Sequence, residues 1–175
     1  MDNAHIITFI GDDRPGLVEK LSAAVEQCGG NWHESRLSKL GGKFAGLVLV
    51  SLEAGAEPKK LEETLKGLAS SGLSVRVTAT SSIQPEAQGL RRVVLKVLGP
   101  DRIGIVREIS AALASHDVNV IEMESAVESA PMSAELLFNA SIHAQVPAGA
   151  TLAALEENLD DIANQMTLDI ELESV

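Results

Sequence analysis

Two stretches of this 175-residue chain carry the same few residues suited to holding a small charged molecule. The first contains Gly11, Asp13, Gly16 and Asn31, and the second Gly99, Asp101, Gly104 and Asn119. Each Asp precedes its Gly at the predicted start of a helix, and each Asn opens the next predicted strand. A helix N-terminus offers unpaired N–H donors and partial positive charge, which suits a carboxylate. An Asp carboxylate and an Asn carbonyl accept hydrogen bonds from an ammonium group. A zwitterionic amino acid presents that pair of charges. The same atoms also have a structural reading: Asp13 caps a helix whose first turn takes Pro15, the glycines permit close packing, and Asn tolerates a left-handed turn. Either reading accounts for one copy of the pattern.

The pattern is one part of a longer internal repeat. From Gly11 to Glu34, ten of 24 residues recur at an offset of 88, too many at one fixed spacing to be chance. Beyond Glu34 the register slips by about six, pairing Phe44 with Phe138 and Leu61 with Leu155, and then by one more, pairing Val75 with Ile170. The extra residues of the second copy fall around Val127 to Glu135. Residues 83–89, Ile-Gln-Pro-Glu-Ala-Gln-Gly, read as a linker between a first domain at 3–82 and a second at 90–174.

Each copy predicts the same elements. His5 to Ile10 and Arg91 to Leu98 are β-rich runs, each leading into the glycine-containing loop. Leu17, Leu21, Val25 and Cys28, like Ile105, Ile109 and Leu113, recur at helical spacing. Gly29-Gly30 supplies a left-handed helix end. Strands starting at Asn31 and Val118 lead, through a turn at Gly41-Gly42 in the first copy, into aliphatic strands at Phe44 to Leu52 and Phe138 to Val146. A second helix follows, with Pro58 in its first turn, and a last alternating strand at Val75 to Thr78 or Asp169 to Glu173. The order is βαββαβ twice. The fold class is therefore α+β, two ferredoxin-like domains, each a four-stranded antiparallel sheet with two helices on one face.

Composition narrows the function. Hydrophobic residues make up 45% and aromatics 2%, so the cores must be aliphatic. The net charge is −11, with 9 basic and 11 acidic residues up to Gln88 against 5 and 14 from Gly89 onward, a net of −9 for the second half. That sign, with so few stacking aromatics, argues against direct nucleic-acid binding. The acidic half reads either as a solvated surface or as a face for a basic partner. Met1-Asp2-Asn3 lacks the positive region of a signal peptide, and no apolar run reaches the roughly 18 residues of a membrane span. A soluble cytoplasmic protein is expected. Cys28, the lone cysteine, reads as a buried small hydrophobe.

Motifs for catalysis are missing: no G-x-S-x-G, P-loop, G-x-G-x-x-G or H-E-x-x-H occurs. Gly41-Gly42-Lys43-Phe44-Ala45-Gly46 sits between strands and reads as a hairpin rather than a phosphate cradle. His5, His33, His116 and His143 are scattered without zinc spacing. No enzyme activity, no metal and no cofactor are expected.

The loop sequence Gly-Asp-Asp-Arg-Pro-Gly-Leu-Val at 11–18, followed by Gly-Gly-Asn at 29–31, resembles the signature of ACT domains, small βαββαβ modules that sense amino acids. The second copy, Gly-Pro-Asp-Arg-Ile-Gly-Ile-Val at 99–106 with Val-Asn-Val at 118–120, matches with Ile103 in place of the usual Pro. The resemblance covers about Asn3 to Ser82 and Leu90 to Ser174. Two such domains are similar to the family of transcriptional repressors that regulate the glycine cleavage system. This resemblance implies a regulator that binds glycine or a related small amino acid and acts by contacting a DNA-bound activator or other regulatory protein. It implies ligand positions at Gly11, Asp13, Gly16, Asn31, Gly99, Asp101, Gly104 and Asn119, completed by contacts from a neighbouring module. A ligand-free oligomerisation or interaction adaptor is the alternative. Edge strands without partners lead us to expect a homo-oligomer.

Overall fold

Alternation and helical spacing place the elements much as read. In the computed structural model, which describes residues 3–80, 90–131 and 134–174, the first repeat runs β1 (Ala4–Asp12), α1 (Leu17–Gln27), β2 (Gly30–Leu40), β3 (Lys43–Leu52), α2 (Pro58–Gly67), a 3-10 turn (Leu68–Ser71) and β4 (Leu73–Thr80). The second runs β5 (Arg91–Pro100), α3 (Ile105–Ser115), β6 (Asn119–Ser129), β7 (Leu136–Val146), α4 (Leu152–Met166) and β8 (Asp169–Ser174). The chain divides into two compact units, Met1–Pro85 and Glu86–Val175. The linker read at 83–89 lies outside the described residues.

Each unit has one antiparallel four-stranded sheet, ordered β2-β3-β1-β4 in the first and β6-β7-β5-β8 in the second. One face of each sheet is apolar at every second residue, and the helices lie against it. In the first unit Ile7, Phe9, Val48 and Val50 pack with Leu17 and Leu21 of α1 and with Leu61 and Leu65 of α2. The second unit repeats this with Leu95, Val97, Ile142 and Ala144 under Ile105, Ile109, Leu155 and Leu159. Both cores are built mainly from aliphatic side chains, as the scarcity of aromatics requires. Phe9 and Phe44 meet in the first unit with ring centroids 5.7 Å apart. Cys28 is buried, its Sγ 3.5 Å from Thr64 Oγ1.

Three local readings change. Strands β1 and β5 run two residues further than read, so Gly11 and Gly99 belong to the sheet, opposite Phe44 and Phe138. A side chain cannot fit there: a Cβ on Gly11 would lie 2.8 Å from Leu73 Cδ2 and 2.9 Å from the Gly72 carbonyl. Val127 and Glu128, read as part of the inserted segment, are still in register within β6, opposite Phe138 and Leu137. The insertion therefore lies in the hairpin connection, where six residues at 130–135 replace the two-residue Gly41-Gly42 turn. Finally, Asn31 and Asn119 are ordinary strand residues. The left-handed positions ahead of them fall to Gly29, at φ 68°, and Asp117, at φ 55°.

Candidate functional site

Beyond the end of β1, the Asp13 N–H donates to the Gly42 carbonyl at 3.1 Å, tying the loop to the β2–β3 hairpin. The chain then turns through Arg14-Pro15-Gly16-Leu17. Gly16 has φ 85° and ψ 4°, the conformation a type II β-turn requires at its third residue, with Pro15 in the favoured second place. That left-handed glycine is itself the N-cap of α1, and Lys20 N–H reaches its carbonyl at 3.0 Å. The second unit reproduces the geometry. Asp101 N–H donates to the Leu136 carbonyl at 2.8 Å, Gly104 caps α3 at φ 104° and ψ −11°, and Glu108 N–H bonds to it at 2.9 Å.

The capping reading of Asp13 is therefore wrong. Neither α1 nor α3 has a side-chain cap, and Pro15 stands ahead of the helix in the turn, not in the first helical residues. The physical reason is the Pro-Gly pair: with glycine free to take positive φ, the turn places the cap at Gly16 and leaves Asp13 at the loop's outer side.

What Asp13 does instead differs between the units. Lys39 Nζ of β2 stands 2.5 Å from Asp13 Oδ2. One residue back, Asp12 takes Lys43 Nζ at 2.5 Å and Arg14 Nη2 at 3.4 Å. The hydrogen bond and charge of Lys43, with a smaller contribution from Arg14, hold the Asp12 carboxyl below its ordinary value. In the second unit Pro100 replaces Asp12, and strand register puts Val127 and Leu137 where Lys39 and Lys43 stand. Asp101 has no ion-pair partner among the described residues. Lys39 and Lys43 were not among the sequence candidates; only the register of the Gly41-Gly42 hairpin brings them to the loop.

Each loop lies in a shallow, partly apolar setting. A depression of about 270 Å³ at the first is lined by Asp13, Gly16, Leu17, Val18, Glu19 and Phe44 among others. Exposed aliphatics surround both loops: Val18 and Leu40 in the first, and Ile103, Val106 and Leu136 in the second, where Ile103 is fully exposed.

The structure brings Gly11, Asp13 and Gly16 together, and likewise Gly99, Asp101 and Gly104, but not the asparagines. Asn31 pairs with Ser51, on the row of Ala4, whereas Gly11 lies seven residues further along β1. At about 3.3 Å per residue that is roughly 23 Å. Asn119 is on the row of Arg92 and Gln145, seven residues from Gly99. Within one unit the Asp and the Asn occupy opposite ends of the sheet. Near Asn31, His33 Nε2 is 2.7 Å from Ser51 Oγ. Among the described residues no group of three His, Cys, Asp or Glu side chains could hold a metal ion, and no helix is long and apolar enough to cross a membrane.

The model of the ACT domain matches residues 4–78 and again 91–173. The chain belongs to the ACT domain family. Its two ACT units are 28% identical over 163 residues to the glycine cleavage system transcriptional repressors of Escherichia coli K12 and Shigella flexneri, covering 92% of this chain and 84% of those proteins. Among solved structures, an unknown protein from Galdieria sulphuraria superposes with a TM-score of 0.86 at 31% identity, over 99% of this chain and 98% of that one. A candidate glycine cleavage system transcriptional repressor superposes with a TM-score of 0.73 at 24% identity, over 99% and 97% of the two chains, and supports the tandem ACT fold.

Proposed function

We propose that this ACT-domain chain is an amino-acid-sensing transcriptional regulator of glycine cleavage or related amino-acid metabolism. In this reading it binds glycine or a similar small amino acid and acts through contacts with a DNA-bound regulatory protein, without touching DNA. Residues 3–82 and 90–174 form the two domains of a cytoplasmic oligomer, joined by 83–89, with the second carrying the open site. The likeness over 92% of the chain to proteins named glycine cleavage system transcriptional repressors supports the regulatory role. The acidic balance of −11 supports action through protein contacts.

One observation carries the ligand reading. Asp101 stands beside the N-terminus of α3 without capping it and without a cation among the described residues. Its carboxylate is available for an ammonium group, and the first-turn N–H groups have no side-chain cap to displace before a carboxylate can bind. With Asn119 some 23 Å away along the sheet, the third contact has to come from another module, which brings its own Asn31 or Asn119 to the loop. The exposed aliphatics around each loop suit such a covered site.

Calorimetry with each of the twenty amino acids, together with melting curves, tests this. Glycine or a near relative should give heat and raise Tm, because a ligand that binds only the native state stabilises it by RT ln(1 + [L]/Kd). No heat and no shift with any of the twenty would favour the ligand-free adaptor. The Lys39–Asp13 pair favours that second reading for the first loop alone, since the carboxylate there is already engaged. A salt-dependent gel shift of DNA by the protein alone would overturn the protein-contact mechanism.

A further inference from the structure

Duplication supplies an internal control for the outer face of each sheet, the face opposite its helices. On the first sheet the two central strands, β1 and β3, present Ile6, Ile10, Leu47 and Leu49 there. Ile10 and Leu47 are each 50% exposed, with Ile6 and Leu49 half-buried beside them. At the same register positions the second sheet has Val94, Leu98, Ser141 and His143. The second unit thus keeps the backbone with a polar β7, so the fold does not require aliphatic residues on the outer side of β3. Scattered exposed apolar side chains need no explanation, whereas contiguous ones mark a surface that another molecule covers.

Two arginines flank the stripe. Arg36 on β2 and Arg76 on β4 share the row of Leu47 and Thr8, one at each edge of the sheet, and both are exposed. With strands about 4.8 Å apart they stand about 14 Å from each other. Arg36 is bonded to Glu34 at 2.9 Å, whereas Arg76 has no ion-pair partner among the described residues. That width accepts one α-helix, about 10 Å across, lying along the strands. The chain's own described helices cannot fill the place, because their apolar stripes are buried in their own cores. Residues 81–89 hold one large aliphatic, Ile83, and a proline, too little for an apolar stripe. A second copy seated by the same face and centred on this row would set arginine over arginine, a costly juxtaposition.

We propose that the outer face of the first sheet docks an amphipathic helix, acidic on both flanks, of the regulatory protein through which this chain acts. The inference rests on the protein-contact reading above and is independent of the amino-acid reading. An apolar helix face laid on an apolar surface is a recurrent recognition mode, with anchors three and four residues apart. Here Leu47, Leu49, Ile6 and Ile10 receive the anchors, and carboxylates on the two flanks meet Arg36 and Arg76. From Ile6 to Ile10 the stripe runs about 13 Å, which about three helical turns cover. One helix on one face buries less than about 1,200 Å² in all, the range of transient contacts. A contact of that size is reversible, as a regulator that must let go of its partner requires.

Fluorescence anisotropy of a labelled helical peptide with the full chain tests this. The peptide carries a leucine stripe flanked by glutamates; the control has the same composition in scrambled order. The net charge of −11 repels an acidic peptide in general, so saturable binding, at least tenfold tighter than the scrambled control, is expected only from a local basic rim. Leu47→Asp and Arg36→Glu/Arg76→Glu should each weaken it at least tenfold, and the double variant should bind a lysine-flanked peptide more tightly than wild type does. Leu98→Asp, at the matching place in the second unit, should change nothing. Far-ultraviolet circular dichroism confirms that each variant is folded. No saturable binding, equal binding of the scrambled peptide, or face variants that bind like wild type would each overturn the proposal. Sedimentation that shows an oligomer dissociated by Leu47→Asp would also overturn it, by making a second copy the occupant. Retardation of DNA by the protein alone would instead strike the protein-contact reading, so the two failures are distinct.

Discussion

Lys39 holds the carboxylate of Asp13 at 2.5 Å, and at the corresponding place in the second unit stands Val127, leaving Asp101 without such a partner. The two loops share one backbone and differ in the charge available to a ligand. Replacing Lys39 with Ala frees Asp13 and should raise the number of amino-acid sites seen by calorimetry from one per chain to two. Asp101→Ala should abolish the wild-type binding heat. The Lys39–Asp13 pair is largely exposed, so Lys39→Ala should cost no more than about 0.2–1 kcal/mol of stability.

Ile103 occupies the place that Pro15 fills in the first turn. Since Gly104 has nearly the same φ and ψ as Gly16, the second turn already has the shape a proline fixes. Ile103→Pro should stabilise the chain by about 0.4–1 kcal/mol by restricting the unfolded state. Scanning calorimetry would register this as a higher Tm; a lower one would show that the second turn differs from the first at this residue.

The loop glycines should fail in two different ways. A methyl at Gly11 or Gly99 would meet the neighbouring strand: at Gly99 it would lie 2.7 Å from Leu168 Cδ2 and 2.8 Å from the Thr167 carbonyl. Ala there should cost about 1–3 kcal/mol through forced displacement. Gly16 and Gly104 have open space around the missing Cβ but positive φ. Ala there should cost about 1–2 kcal/mol through backbone strain, and Asn, which tolerates that conformation, less. Denaturant midpoints for the six variants separate the two mechanisms.

The helices and strands were legible because burial leaves a period: Leu17, Leu21 and Val25 recur as a helix stripe, and β8 alternates. The site was legible only in part. Pro15 fits a first helical turn and a type II turn equally, and the glycine after it was the deciding signal for the turn. Lys39 and Lys43 meet the aspartates across a hairpin, a proximity that depends on register rather than on residue spacing. The distance from Asp13 to Asn31 could not be read from the motif, because adjacency in a signature says nothing about which end of a sheet each residue occupies.

Two exposed pairs set opposite pH limits. Lys43 holds the Asp12 carboxyl below its ordinary 3.8. A depressed carboxylate adds stability above its unfolded value and loses it as pH falls through the folded one. Lys96 is raised above 10.5 by the hydrogen bond and charge of Glu173, with Glu171 adding to it. That contribution is present below the unfolded value and disappears as pH rises through the folded one. Unfolding titrations should therefore show Lys43→Met differing from wild type at neutral pH and converging with it below 3.8. Lys96→Met should differ at neutral pH and converge above 10.5.

The Gly41-Gly42 turn, with both residues at positive φ, also bears on the order of events during synthesis. Such a pair matches the twist of the strands it joins, so β2 and β3 can zip from their own turn as soon as both have emerged. In the second unit β6 and β7 must first close a connection of six residues. Hairpins form in microseconds, while the ribosome adds only about 5–20 residues each second. The first unit therefore has a ready nucleus, and time to complete its sheet, before the acidic second half of the chain has been made.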